Sequence, residues 1–114
     1  MDFRFPKSAR LLKPREFQRV SSQGRRLTTR LFILLVRDTD QKLPRAGLTV
    51  SRKVGNAVTR NRVKRVMREF FRLHRPNLQQ NIECVMIAKP QAGQTVNAEL
   101  TQNLHELFVR FVVK

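Results

Sequence analysis

The chain has 114 residues, of which 40% are hydrophobic, enough for one domain with its own core and too many for a disordered basic tail. Its 24 Lys and Arg against 8 Asp and Glu give a formal net charge of +16, and all of this excess lies in residues 1–75. The charge favours a polyanionic partner. The single cysteine, Cys84, excludes an internal disulfide framework and a cysteine-based zinc site, and we expect it to be a small buried residue.

The sequence shows neither a secretory signal nor a segment that would span a membrane. Its first residues lack the apolar stretch of a signal peptide, and the longest apolar run, residues 31–36, is far too short to cross a bilayer. We therefore expect a cytoplasmic protein without a membrane partner.

The N-terminal part begins with a basic segment, residues 1–13, which we expect to be a flexible arm of a single RNA-binding domain spanning residues 1–114. Pro14 then suits the first turn of a short helix, because its missing N–H is not needed there. Residues 15–20 carry this helix, and Gly24 ends it.

Several segments predict β-strands. The apolar run 31–37 is typical of a strand covered on both faces, and residues 83–88 follow the same pattern. A short additional strand is predicted between residues 24 and 29. Residues 46–51 alternate between larger apolar and small or hydroxyl side chains, which predicts one flat sheet face open to a ligand. The residues on that face are Gly47, Thr49 and Ser51.

The strongest pattern is a helix that begins after Gly55, with Asn56 as its N-cap, and closes near Pro76. Its predicted buried face comprises Val58, Val63, Val66, Met67, Phe70 and Leu73. The opposite face is almost wholly basic, with Glu69 as its only acid. Its basic residues are Arg60, Lys64, Arg65, Arg68 and Arg72. Because like charges at this spacing repel, such a face indicates a polyanion ligand rather than simple solvation.

A last helix is predicted after Thr95 or Asn97, either of which could serve as its N-cap. Its apolar side would comprise Leu100, Leu104, Leu107, Phe108 and Phe111. Together these elements predict an α+β or α/β layered sandwich.

The sequence contains no recognisable catalytic motif. No Ser-His-Asp arrangement, metal-ligand cluster or phosphate-binding glycine loop can be identified, and His74 and His105 have no matching partners. If an assembly containing this chain cleaves nucleic acid, we expect the catalytic groups to lie elsewhere.

Residues 51–65, SRKVGNAVTRNRVKR, with Arg68 and Glu69 after them, resemble the signature of the bacterial ribonuclease P protein subunit. The centre of that signature is the run Arg60-Asn61-Arg62. Four other segments are similar to the family as well, so that the resemblance covers nearly the whole chain: residues 12–17, 24–26, 47–51 and 87–90.

The resemblance implies the protein component of a ribonucleoprotein endoribonuclease. With a catalytic RNA that uses Mg²⁺, it would remove the 5′ leader from precursor tRNA, and the protein itself would carry no catalytic residue, metal or other cofactor. No obligate protein partner is implied. The implied fold is an α+β sandwich similar to domain 2 of ribosomal protein S5, in the order α-β-β-β-α-β-α, with a left-handed βαβ crossover.

The resemblance also assigns two binding sites. The RNA-subunit site comprises Arg52, Lys53, Arg60, Asn61, Arg62, Lys64, Arg65 and Arg68. The precursor-tRNA leader site, a cleft between the first helix and the sheet, includes Phe17, Thr49, Ser51 and Lys89. Phe17 is either a core residue or a ring that stacks on leader bases. Ser21 and Leu35 stand where some family members have aromatic residues, which implies a cleft with fewer stacking rings.

Three other functions compete with this interpretation. A structural RNA-binding protein, such as a ribosomal component, and a DNA-compacting protein would each account for the charge equally well. A protein-only nuclease is the third. The central motif favours the ribozyme partner.

Overall fold

Three helices and four strands make up the part of the chain that the computed structural model describes, residues 9–11, 13–40, 44–79 and 81–111. The helices are α1 Pro14–Gln23, α2 Ala57–His74 and α3 Asn97–Phe108, and the strands are β1 Arg25–Thr28, β2 Phe32–Asp38, β3 Arg45–Thr49 and β4 Ile82–Ala88. The mixed α+β class predicted from the sequence is confirmed.

The strands form one sheet in the order β1-β2-β4-β3. Strand β2 is antiparallel to both β1 and β4, whereas β3 pairs with β4 in parallel. Strands β3 and β4 are connected through α2, which makes a βαβ crossover. The left hand that the resemblance implies for this crossover stays a prediction.

Helix α1 covers one face of the sheet. Its Val20 is fully buried and packs with Leu35 of β2 and Val85 of β4 in a small apolar cluster that Leu11 completes. Phe17 is half-buried beside this cluster. The prediction that β2 and β4 are covered on both faces is confirmed, because the main core lies on the other side.

Helices α2 and α3 pack on that second face. Phe71 of α2 and Phe108 of α3 lie close together in the main core, and the predicted apolar side of α3 is entirely buried. Cys84 is buried there too, as predicted.

The cap of α2 is confirmed, since the Asn56 side chain accepts a hydrogen bond from the Thr59 N–H at 2.9 Å. The cap of α3 is neither Thr95 nor Asn97 but Val96.

The predicted buried face of α2 is wrong at both ends. Val58 is 78% exposed and Leu73 is 47% exposed, whereas Phe71, absent from the prediction, is fully buried. At about 100° per residue, Val58 lies about 140° around the helix from Val63. Val58 and Val63 are five residues apart, so including Val58 extended the predicted stripe beyond the arc that meets the sheet.

The predicted N-terminal arm needs a correction where the structure describes it. Ala9 and Leu11 are buried, and the Leu11 N–H donates to the carbonyl oxygen of Ala46 at 3.0 Å. Arg10 forms a parallel bridge with the same residue. Arg10 thus pairs with β3 at the edge of the sheet, and Ala9 and Leu11 are buried rather than belonging to a free arm. Residues 1–8 and 12 of the predicted arm lie outside the described residues.

Among the helices described above, none combines the length and apolar character needed to cross a bilayer.

Candidate nucleic-acid interface

The outer face of α2 presents an exposed basic surface. Burial of Val63 and Met67 against the core turns Arg65 and Arg68 to solvent, and Asn61 is exposed one turn before Arg65. A shallow recess of about 400 Å³ lies on this face. Its lining residues are Asn61, Arg65, Arg68, Glu69 and Arg72. Glu69 neutralises part of the charge, because its carboxylate pairs with the guanidinium of Arg72.

The turn before α2 adds two more exposed cations. Arg52 and Lys53 lie in the short 3-10 turn Arg52–Val54, which the buried side chain of Val54 anchors. Gly55 then adopts a φ of 154°, a backbone conformation that residues with side chains rarely occupy. These cations therefore continue the basic surface beyond the start of α2.

The remaining residues predicted for this surface are less accessible. Arg60 and Lys64 are half-buried. Arg62 is half-buried as well, and its guanidinium donates hydrogen bonds to the carbonyl oxygens of Gly93 and Thr95 and to the side chain of Asn97. The structure therefore groups Asn61, Arg65 and Arg68 on the surface and turns Arg62 inward.

A second candidate surface lies on the opposite side of the sheet, beside α1. The strand register places Ile33, Ile87 and Thr49 side by side on the face that α1 covers. The two isoleucines are half-buried and Thr49 is exposed, so α1 leaves this row partly open. We call these three residues the exposed row. Phe17 lies near it, above Gly47 of the neighbouring row.

Ser51 follows the carboxyl end of β3, and Lys89 follows the carboxyl end of β4. Because these two strands are parallel, both residues lie at the same end of the sheet. Ser51 is exposed and Lys89 is half-buried, with its backbone N–H donating to the carbonyl oxygen of Leu31 at 2.8 Å. The four predicted leader-site residues thus belong to α1 and to one end of the sheet. Leu35 is buried beneath α1, so it offers no open surface for stacking.

A charge cluster that was not predicted from the sequence lies beneath α1. The Glu83 carboxylate is fully buried and accepts hydrogen bonds from Arg19 of α1 at 2.9 Å, Arg37 of β2 at 2.9 Å and Arg45 of β3 at 3.2 Å. Burial by itself raises the pKa of Glu83, but hydrogen bonds from the three guanidinium groups outweigh it and lower that pKa below its ordinary value. An acid within an apolar strand was the available signal, because such a group needs buried partners.

Among the described residues, no three carboxylate, imidazole or thiol side chains come together as a metal site. Burial raises the pKa of the Cys84 thiol well above its ordinary value, which keeps it unreactive at neutral pH. The Nδ1 atom of His74 lies 2.8 Å from the carbonyl oxygen of Phe70 in its own helix. The arrangement is suited to binding and positioning a polyanion.

Comparisons with known proteins agree with the resemblance. A family model described as Ribonuclease P matches residues 5–112. The chain is 39% identical over 110 residues to a ribonuclease P protein component of Desulforapulum autotrophicum, covering 96% of this chain and 94% of that protein. A ribonuclease P protein component of an Exiguobacterium species is 44% identical over 104 residues, covering 91% and 90%. The RNase P protein structure of Staphylococcus aureus is similar with a TM-score of 0.84 and 30% identity, covering 91% of this chain and 94% of the other.

Proposed function

Because the chain belongs to the ribonuclease P protein family, as a component of that tRNA-processing enzyme, we propose that α2 binds the catalytic RNA and that α1 and the sheet bind the 5′ leader of precursor tRNA. The observation that carries this proposal is the placement of two different surfaces on opposite sides of one sheet. One surface is basic and helical, and the other is a partly apolar row beside an aromatic ring.

The α2 surface has the chemistry of a phosphate-binding site. Arg65 and Arg68 carry planar guanidinium groups whose paired donors match phosphate oxygens, and both are exposed. Arg52 and Lys53 extend the positive surface past the helix N-terminus, which itself favours anions. A folded RNA with closely spaced phosphates fits this surface better than a single small anion does.

The surface beside α1 is suited to binding single-stranded RNA. An unpaired leader has free bases that can stack on an aromatic ring and phosphates that a lysine can contact. Phe17 provides the ring, Lys89 the charge, and the hydroxyl groups of Thr49 and Ser51 provide hydrogen bonds. The exposed row supplies an apolar floor of limited width, which favours one strand over a duplex.

We propose that the RNA subunit holds the Mg²⁺ and the catalytic groups, and that this chain acts in the cytoplasm through binding and positioning. A protein with a net charge of +16 offsets the repulsion between two polyanions, the RNA subunit and its substrate. This effect should matter most at low Mg²⁺ and modest salt, where the repulsion is least screened.

A reconstitution assay tests this proposal. Nuclease-treated protein should leave precursor tRNA intact at any Mg²⁺ concentration, the RNA subunit alone should need high Mg²⁺, and the two together should remove the leader at low Mg²⁺. The assembled enzyme should also bind precursor tRNA more tightly than mature tRNA. Site-specific leader removal by the RNA-free protein, or equal binding of precursor and mature tRNA, would contradict the proposal.

A further inference from the structure

Arg62 differs from the other arginines of α2 because its guanidinium is hydrogen-bonded to a distant segment of the same chain. Its Nη1 atom donates to the carbonyl oxygen of Thr95 at 3.0 Å and to Oδ1 of Asn97 at 2.6 Å, and its Nη2 atom donates to the carbonyl oxygen of Gly93 at 2.9 Å. Gly93 and Thr95 lie in the segment that joins β4 to α3, and Asn97 is the first residue of α3. We call this set of hydrogen bonds the Arg62 clamp.

The clamped segment also packs closely against the turn before α2. A β-carbon built at Gly93 would stand 1.9 Å from the carbonyl oxygen of Val54, so the two backbones touch and only glycine fits. Val54 ends the turn that carries Arg52 and Lys53. The start of α2, the turn before it and the segment after β4 therefore form one packed unit.

This unit joins the two surfaces proposed to bind RNA. On one side, Lys89 is the residue directly before the 3-10 turn Pro90–Gln94, and its carbonyl oxygen accepts the Ala92 N–H at 2.9 Å. On the other side, Arg65 follows Arg62 by three residues on α2. A shift of the clamped segment would thus move Lys89 relative to the α2 surface.

We propose that Arg62 is a positioning residue rather than a phosphate ligand: its clamp fixes the leader-side residue Lys89 at a set distance from the surface of α2 that holds the RNA subunit. This inference rests on the proposed function. It gives the second arginine of the Arg60-Asn61-Arg62 run a role different from that of Arg65 and Arg68. The leader and the catalytic RNA are then held in one register by a guanidinium that contacts neither.

Three variants test this role, with Arg65→Ala for comparison. Arg62→Met keeps the apolar stem of the side chain but removes the clamp, Gly93→Ala disturbs the same unit without changing charge, and Asn97→Ala removes one of the three acceptors. Affinities for the RNA subunit are measured across a salt series, and affinities of the assembled enzyme are measured for precursor and mature tRNA.

Arg62→Met and Gly93→Ala should both reduce the preference for precursor tRNA about tenfold, because losing one hydrogen bond from the charged Lys89 to the leader has an effect of about that size. Asn97→Ala should give a smaller reduction. The dependence of log K on log salt for the RNA subunit should not change in any of the three, whereas Arg65→Ala should make it shallower by about 0.7–0.9. A shallower slope for Arg62→Met, equal to that of Arg65→Ala, would overturn the proposal.

Hydrogen exchange gives a readout that does not depend on RNA. The amides of Ala92 and Thr95 are hydrogen-bonded within the clamped segment and should exchange faster in Arg62→Met, while amides in the middle of β4 keep their protection. Unchanged exchange at both amides would overturn the positioning role. If the wild-type enzyme shows no preference for precursor tRNA, the proposed leader site fails, and the exchange result alone decides whether Arg62 fixes this segment.

Discussion

The ring of Phe17 lies against the backbone of Gly47, so closely that a β-carbon built at Gly47 would stand 2.5 Å from both Cε1 and Cζ of the ring. Helix α1 can therefore approach β3 only where the strand has no side chain. The same contact holds the ring half-buried, next to the apolar cluster of Val20, Leu35 and Val85 and near the exposed row. Phe17 is both a packing residue and the aromatic edge of the proposed leader site.

Gly47→Ala should displace this ring. A methyl group cannot share the space, so the ring must rotate or α1 must lift, at a cost of about 1–3 kcal/mol in the free energy of unfolding. We expect the preference for precursor over mature tRNA to fall several-fold, with the affinity for the RNA subunit unchanged. In a Phe17→Ala background, Gly47→Ala should have no further effect on that preference, because the displaced ring is already absent. Additive effects of the two substitutions would contradict the role assigned to the contact.

Replacing Phe17 should separate its two roles. Phe17→Leu keeps an apolar side chain against the cluster and should leave the thermal midpoint almost unchanged, but it removes a stacking face worth about 1–3 kcal/mol per base. Phe17→Ala should lose that stacking and also unfold several degrees lower, because it opens a gap beneath α1. Thermal unfolding and leader-dependent binding measured on both variants distinguish the two contributions. Full leader preference in Phe17→Leu would show that the ring does not stack on leader bases.

Local patterns in the sequence were enough to predict much of the fold. The Asn56 cap and the burial of Val63, Met67 and Phe70 follow from residue type and helical period, and both are confirmed. The limits of the buried face were wrong because spacing alone does not show where a helix leaves the sheet, as at Val58. Long strands were predicted well because their apolar runs are continuous.

Contacts between distant segments could not be predicted in the same way. Glu83 accepts its hydrogen bonds from arginines 38 to 64 residues away in the chain, and the Arg62 clamp spans 31 to 35 residues. No local pattern indicates such pairs, because they depend on how the elements pack. The resemblance grouped Arg62 with Arg65 in one RNA-binding site, and the hydrogen bonds that turn Arg62 inward are visible only in the folded chain.

The double substitution Arg65→Ala, Arg68→Ala should weaken binding to the RNA subunit without unfolding the protein, since both side chains are exposed. If each contacts one phosphate, the slope of log K against log salt should become shallower by about 0.7–0.9 per residue. Arg110→Ala is a matched control, because it removes an exposed arginine beyond the end of α3. An unchanged affinity and slope in the double variant would show that α2 is not the RNA-binding surface.

The buried Glu83 carboxylate should give the protein a distinct sensitivity to acid. Its pKa in the folded state lies below the unfolded value of about 4.3, so ionised Glu83 stabilises the fold above that pH, and this contribution is lost as the pH falls through the folded pKa. Glu83→Gln should lower the free energy of unfolding by about 3 kcal/mol at neutral pH. This value is towards the low end for breaking a buried ion pair, because the three arginines still reach solvent.

The pH dependence itself can be measured by thermal unfolding between about pH 3 and pH 7, with the exposed Glu106→Gln as control. The thermal midpoints of the wild type and the control should fall steeply below about pH 4. The midpoint of Glu83→Gln should be lower at neutral pH and should fall less steeply with acid. Because Arg19 anchors α1 to this carboxylate two residues from Phe17, Glu83→Gln should also weaken the preference for precursor tRNA. Parallel acid curves for Glu83→Gln and the wild type would contradict the assignment of the acid-sensitive group.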